Sequence, residues 1–398
     1  MDDRQNWGPG TRAVHPPAPA PATQESSSFP IYQTSIWRFE SSAQFAEVIA
    51  DQERGYVYGR GYGNPTVEAF EAAVADWEGT EAAFAFDSGM AAIHTTATSL
   101  AAAGEAIASS TRLYGGTFSL FAEVLPRYGI EVRFVDDHDL DAVTKAIDGA
   151  KLFYTETISN PALAVPDLGT LAQLCHEKGV PSVVDNTFAS PYLCNPASLG
   201  FDYVIHSATK YIGGHSDLIG GVVATSAPRR VQLRKLALDQ GGAMQPFEAW
   251  LCLRGLVTLP LRMERHCETA LALARWLSDQ PQLSAVHYPG LDTHPDHERA
   301  SQLLRGPGGM ICLDHAGGLE AGKRLCDALE LVWIGGSLGG AHSLVSHPAS
   351  TTHRQLDAAA RKRAGISDGL IRVSVGLEDL SDLIDDFAVA LRNSRLGK

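Results

Sequence analysis

No segment of this 398-residue chain approaches the roughly 18 consecutive apolar residues that a membrane-spanning helix requires. Met1-Asp2-Asp3 has neither the basic nor the apolar region of a secretion signal. Positive charge is scarce. The 32 Lys and Arg stand against 46 Asp and Glu, a formal net charge of −14, which argues against nucleic acid or an anionic membrane as a partner. Cysteine is sparse and unpatterned. Cys175, Cys194, Cys252, Cys267, Cys312 and Cys326 show no CxxC spacing, so neither a zinc cluster nor a disulfide framework is indicated, and reduced thiols in the cytoplasm are expected. No internal repeat is visible. The histidines between His287 and His297 sit among Pro289, Gly290 and Pro295 with no second ligand cluster, which reads as a solvated loop and not as a metal site.

With 44% hydrophobic and 20% charged residues, the chain can bury a sizeable core and divide into two domains. Residues 1–27, rich in Pro, Ala and Ser, suggest an extended arm. Helical spacing over 67–77 and 89–101 alternates with apolar runs at 82–86, 106–109, 132–135, 152–156, 182–185, 203–205 and 221–224. This alternation predicts a mainly parallel sheet covered by helices on both faces. A single helix is expected over 250–277. Strands at 309–313 and 371–375, mixed with helices, indicate a smaller α+β domain beyond it.

Ligands of open α/β sheets bind beyond the carboxyl ends of the strands, and four predicted strands carry suitable chemistry there. The first is followed by Asp87-Ser88-Gly89-Met90. Small residues opening a helix expose amides to a phosphate, although they suit any tight turn. After 152–156 comes Asn160-Pro161, where Asn160 is either a donor to a ring oxygen or a plain turn residue. The strand 182–185 ends in Asp185, whose buried charge calls for a cation such as a protonated pyridine nitrogen, unless it caps the next turn. The last strand leads into Ser207-Ala208-Thr209-Lys210-Tyr211-Ile212-Gly213-Gly214. A lysine desolvated there has a lowered pKa and an amine free for a Schiff base, and Ser207 and Thr209 can share one phosphate. A lone lysine in such a loop is ordinarily a surface residue. Four signals in the order phosphate turn, Asn, Asp and Lys instead point to pyridoxal 5'-phosphate (PLP).

These segments are joined by Asn64-Pro65-Thr66, Leu253-Arg254-Gly255-Leu256, His347-Pro348-Ala349-Ser350 and Arg372-Val373-Ser374-Val375-Gly376-Leu377-Glu378. From about Phe29 to about Leu391 the chain resembles the Cys/Met-metabolism (trans-sulfuration) family of fold-type I PLP enzymes. That family includes cystathionine γ-synthase, cystathionine γ- and β-lyases, methionine γ-lyase and O-acetylhomoserine sulfhydrylase. The resemblance implies an aspartate-aminotransferase-like α/β fold, with a mainly parallel seven-stranded sheet between helices and a smaller α+β C-terminal domain. It also implies an N-terminal arm and clasp over 1–60, a PLP-binding domain over 61–255 and a small domain over 256–398.

By the same resemblance Lys210 carries the Schiff base and shuttles protons, and Asp185 pairs with the pyridine nitrogen. Ser88, Gly89, Met90, Ser207 and Thr209 surround the phosphate. Tyr114, in Leu113-Tyr114-Gly115-Gly116-Thr117, stacks on the cofactor ring and moves protons at the leaving group. Tyr58 and Arg60 reach the phosphate of a neighbouring subunit. Arg372 grips the substrate carboxylate in a bidentate fork, with Ser337 and Asn160 nearby, and His342 stands toward the distal end of the substrate. A homo-oligomer built as a dimer of dimers follows. Taken singly, Tyr114 reads equally as a core aromatic and Arg372 as a structural ion pair.

The implied reaction is γ-elimination or γ-replacement on a γ-substituted L-amino acid (a homoserine ester, cystathionine, methionine or a related substrate) through a vinylglycine-type intermediate. It needs two C–H removals, so Lys210 or Tyr114 acts as base and acid more than once. Three departures stand out. Gly116 replaces the cysteine of many methionine γ-lyases, His342 replaces a common glutamate, and the segment from Tyr58 to Asn64 is one residue longer than usual. They motivate an alternative with a non-sulfur leaving group such as halide. A cystathionine β-lyase or aminotransferase, and a non-catalytic PLP-binding protein, are the readings from other classes.

Overall fold

A computed structural model describes residues 26–50, 55–61, 63–351 and 365–394. Most of the expected arm, together with Tyr62, Thr352 and His353, lies outside the described residues. The chain divides into two units, 1–30 and 31–398. In the first, the Ser28 N–H donates to Ser26 Oγ at 3.3 Å. The second contains both sheets.

The larger sheet is built from β1 Ala82–Phe86, β2 Ala106–Ser110, β3 Glu131–Val135, β4 Phe153–Glu156, β5 Ser182–Asp185, β6 Tyr203–His206 and β7 Gly221–Thr225. Their order is β1-β7-β6-β5-β4-β2-β3. Pairs from β3 to β6 are parallel, whereas β7 runs antiparallel to both β6 and β1. The reversal follows from the connection. Residues 207–220 contain no crossover helix, so the chain turns back beside the strand it has just left.

Successive side chains of a strand point to opposite faces, and here both faces are covered. Ala83 and Ala85 join Phe70 and Val74 of helix α1 (Pro65–Glu78) in one core cluster, while Phe84 and Phe86 join Ala92 and Ile93 of α2 (Gly89–Leu100) in the other. The motif Asn64-Pro65-Thr66 is a helix start. Asn64 Oδ1 accepts the Thr66 N–H at 2.9 Å, Pro65 occupies the first turn, and Gly79 at φ 70° closes the far end.

The helix expected over 250–277 is two helices, α3 Pro246–Val257 and α4 Leu259–Ser278. Thr258 leaves helical geometry between them at φ −108°, ψ 6°, because Pro260 lacks the N–H that an unbroken helix would need. The smaller sheet holds β8 Leu283–His287, β9 Met310–His315, β10 Trp333–Ile334, β11 Leu344–Ser346 and β12 Leu370–Ser374, in the order β10-β11-β12-β9-β8. Ile311, Leu313 and Val373 of this sheet pack on Leu273 and Leu277 of α4 and Phe387 of α5 (Leu380–Asn393).

The stretch 287–297 is not a solvated loop. His294 and Asp296 are buried. Asp296 Oδ2 accepts the Val165 N–H at 3.0 Å, and Asp296 Oδ1 lies 3.2 Å from His138 Nε2. Proline and glycine content correctly indicated a loop, but it does not reveal polar groups buried by mutual pairing.

Candidate active site

The carboxyl ends of β1, β2, β4, β5 and β6 open along one edge of the larger sheet, beside a cavity of about 570 Å³. Ser88, Gly89, Met90, Tyr114, Asn160, Asp185, Ser207, Thr209, Lys210, Ser337 and Arg372 all line it.

At one end of the cavity α2 begins at Gly89, with Ser88 Oγ accepting the Ala91 N–H at 3.1 Å. The backbone here is too close for ordinary side chains. A Cβ on Gly89 would sit 2.9 Å from Ser207 Cβ, and one on Gly221 would collide with the Ser88 carbonyl. The two glycines let the 207–210 turn and β7 close around a helix start, whose unpaired amides favour an anion. Thr209 Oγ1 accepts the Gly220 N–H at 3.0 Å and donates to the Gly220 carbonyl at 3.2 Å, which fixes the turn.

At the middle of the edge, Asp185 Oδ1 accepts the Thr187 N–H at 2.9 Å, and the Tyr154 hydroxyl donates to Asp185 Oδ2 at 3.4 Å. Burial pushes the Asp185 pKa up, against the lowering effect of the Thr187 bonds. Glu156 is its register partner on β4. Burial, and then the neighbouring Asp185, hold the Glu156 pKa well above the usual carboxyl range. Glu156 is buried and Asp185 half-buried on adjacent strands, and among the described residues neither is ion-paired with a lysine or arginine.

Lys210 supplies the amine. Its Nζ donates to Ser337 Oγ at 2.8 Å. Burial, and then the charge of Arg372, push its pKa down to about 8. Arg372 reaches in from β12, donating from Nη1 to Asn160 Oδ1 at 3.2 Å and from Nη2 to the Ser337 carbonyl at 3.1 Å. Tyr114 is 46% exposed, so it is not a core aromatic. Its ring lies over Gly116, where a Cβ would come 2.5 Å from Tyr114 Cε1.

Three expected residues do not line the cavity. Tyr58 bridges Ile36, and Arg60 donates to the Leu238 carbonyl of its own chain. His342 is exposed and stacks on Trp333, with ring centroids 4.2 Å apart and planes 16° apart. Sequence reasoning in turn overlooked Glu156, Thr187 and the apolar lining residues Ile93, Ile158 and Phe188. A strand-end carboxylate at 156 and a hydroxyl two residues after Asp185 were the available signals.

An amine of lowered pKa, a half-buried strand-end carboxyl group with no lysine or arginine paired to it among the described residues, and a helix start that a glycine keeps clear fit the aldehyde, ring nitrogen and phosphate of PLP. The sequence pattern of the Cys/Met metabolism PLP-dependent enzymes matches residues 10–392. The chain belongs to this family. Among other Cys/Met metabolism enzymes, it is 42% identical to the L-methionine gamma-lyase of Fusobacterium nucleatum subsp. polymorphum, over 98% of this chain and 99% of the relative. It is 43% identical to the O-succinylhomoserine sulfhydrylase of Pseudomonas aeruginosa, over 91% of this chain and 90% of the relative. A solved structure from Campylobacter jejuni that carries N'-pyridoxyl-lysine-5'-monophosphate superimposes with a TM-score of 0.89 at 32% identity, covering 93% of this chain and 96% of that one. The fold is that of the fold-type I PLP enzymes, and PLP is the cofactor.

Proposed function

We propose that this chain catalyses γ-elimination or γ-replacement on a γ-substituted L-amino acid such as a homoserine ester, cystathionine or methionine. The observation that carries the reading is the meeting of Lys210 and Arg372 in one cavity, both bonded to Ser337. PLP, when bound, supplies an electron sink for charge developing on the carbons next to the amino group. Arg372, oriented by Asn160, takes the substrate carboxylate in a two-pronged grip. With PLP bound, Asp185 would keep the ring nitrogen protonated, and the start of α2 with Ser207 and Thr209 would hold the phosphate. Lys210 removes a proton at Cα and a second at Cβ, as departure of a γ-substituent demands. The Tyr114 hydroxyl, at the open side, exchanges a proton with the leaving group. Relatives named for methionine γ-lyase and O-succinylhomoserine sulfhydrylase activities support chemistry at Cγ.

The reading extends to organisation. Residues 61–255 form the cofactor-binding domain and 256–398 the smaller one. The clasp within 1–60 brings Tyr58 and Arg60 to the phosphate site of a second copy in a homo-oligomer. A reducing compartment such as the cytoplasm agrees with six unpaired cysteines. Among the described residues no helix is long and apolar enough to cross a membrane.

The test is the purified protein with O-acetyl-L-homoserine, methionine, cystathionine and a γ-chloro amino acid, with and without a thiol, followed by mass spectrometry. A 2-oxobutyrate product, or a new thioether in the presence of thiol, is expected. Pyruvate with homocysteine and ammonia from cystathionine, and no 2-oxobutyrate from any substrate, would overturn the proposal in favour of a β-lyase.

A further inference from the structure

The mechanism above gives Glu156 no part, yet its carboxyl group touches both ends of the catalytic arrangement. Oε1 accepts the Tyr114 N–H at 2.7 Å and Oε2 accepts the Asn160 N–H at 3.1 Å. Tyr114 opens the short helix Gly115–Ser119 and makes no side-chain cap bond there, so the tie to β4 runs through its own amide. Asn160 in turn orients Arg372 through Oδ1. One buried side chain therefore spans the proton-moving tyrosine on one side and the carboxylate-gripping arginine on the other.

A carboxyl group is the fitting choice. It has two acceptor oxygens and, on the face turned to the amides, no donor. Its register partner Asp185 is also a carboxyl, and a second acid beside it is costly in a buried setting. A glutamine would relieve that cost but would set an N–H against one of the two amides. Keeping an acid there indicates that both amide bonds matter.

We propose that Glu156 is a positioning residue for the reaction. By accepting the amides of Tyr114 and Asn160 together, it couples the placement of the Tyr114 ring to the aim of Arg372. The role rests on the functional reading given above for those two residues. Geometry lost by about 1 Å can cost on the order of 100-fold in rate. Glu156→Gln keeps one acceptor and Glu156→Ala keeps none, so the two variants form a graded series.

The test compares holoenzyme of the parent, Glu156→Gln and Glu156→Ala, with Tyr114→Phe as reference. The measurements are kcat, KM for the amino acid, thermal midpoint and the visible circular dichroism band of the bound cofactor. In Glu156→Gln, KM is expected to rise and kcat to fall together, each by about tenfold, with an altered dichroism band and cofactor still bound. Glu156→Ala is expected to lose more in both. Unchanged kcat, KM and dichroism in Glu156→Gln, whatever its thermal midpoint, would reduce Glu156 to a structural role and overturn the proposal. If the parent turns over no γ-substituted amino acid, or Tyr114→Phe is fully active, the functional reading fails. The dichroism of Glu156→Gln still decides the positioning role in that case.

Discussion

Ser337 Oγ accepts a hydrogen bond from Lys210 Nζ at 2.8 Å, while the carbonyl of the same residue accepts Arg372 Nη2 at 3.1 Å. A single residue thus bonds the two cations of the cavity. They come from different sheets, the lysine from the turn after β6 and the arginine from β12.

Lys210 titrates early. With its pKa lowered to about 8, the amine becomes neutral, and so nucleophilic, well below the pH usual for lysine. In the cofactor-free protein the penalty on the charged amine is complete below pH 8 and is relieved as pH rises from about 8 toward 10.5. Cofactor uptake by the cofactor-free protein, followed by absorbance, is expected to accelerate up to about pH 8 and then level off. A rate that keeps climbing to pH 10 would contradict the lowered pKa.

Arg372 is poised for a planar anion. Lysine cannot reproduce the two parallel donors, so Arg372→Lys is expected to raise the amino-acid KM about 100-fold. The cofactor absorbance should be unchanged. Steady-state kinetics on one substrate, with a spectrum of the same preparation, settle it. Equal loss of bound cofactor would show that the arginine serves folding instead.

Gly116 gives the Tyr114 ring its place. A Cβ there would meet Tyr114 Cε1 at 2.5 Å and Met90 Sδ at 3.2 Å, so Gly116→Ala must displace the tyrosine. A fall in kcat of about tenfold or more is expected, with little change in thermal midpoint. Full activity in Gly116→Ala would mean that the ring moves without consequence.

A clamp away from the cavity sets part of the pH range of stability. His138 Nδ1 lies 3.1 Å from Asp137 and Nε2 lies 3.2 Å from Asp296. The Asp137 bond first, then that to Asp296, hold the His138 pKa up at about 9. Burial, the largest single influence, would raise Asp296, but the His138 bond, the Val165 amide and the charges of His138 and Arg299 together outweigh it and hold Asp296 down at about 2. A raised histidine stabilises fully below its ordinary pKa and loses that contribution as pH climbs through 9. The lowered carboxyl loses its own as pH falls toward 2. His138→Asn is expected to cost about 2 kcal/mol near neutral pH, shrinking between pH 7 and 9, in urea titrations. Parallel stability curves for the two proteins would rule the clamp out.

Much of the fold was legible because buried strands are short apolar runs ending at turn residues. The runs at 82–86 and 182–185 coincide with β1 and β5. The backward course of β7 was not legible, since strand direction depends on what covers the connection and not on the strand itself. The break at Thr258 had a visible cause in Pro260, outweighed by the apolar periodicity around it. Within the site, residues tied to a local motif were found, among them Lys210, Asp185 and the Ser88 turn. Glu156 was passed over because one of its two bonds reaches back to Tyr114 on another connection. His342 stands outside the cavity lining and stacks on Trp333, a contact that no spacing rule foretells.

The cavity draws its walls from residues as far apart along the chain as Ser88 and Arg372. No early fragment of the chain holds the complete set, and contacts between distant segments form late because chain entropy opposes them. The binding site is therefore expected to be among the last features to form during refolding. The cofactor then acts by mass action on a finished molecule. It should stabilise by about 2.7 kcal/mol at a hundred times its dissociation constant, visible as slower unfolding, and leave the refolding rate untouched.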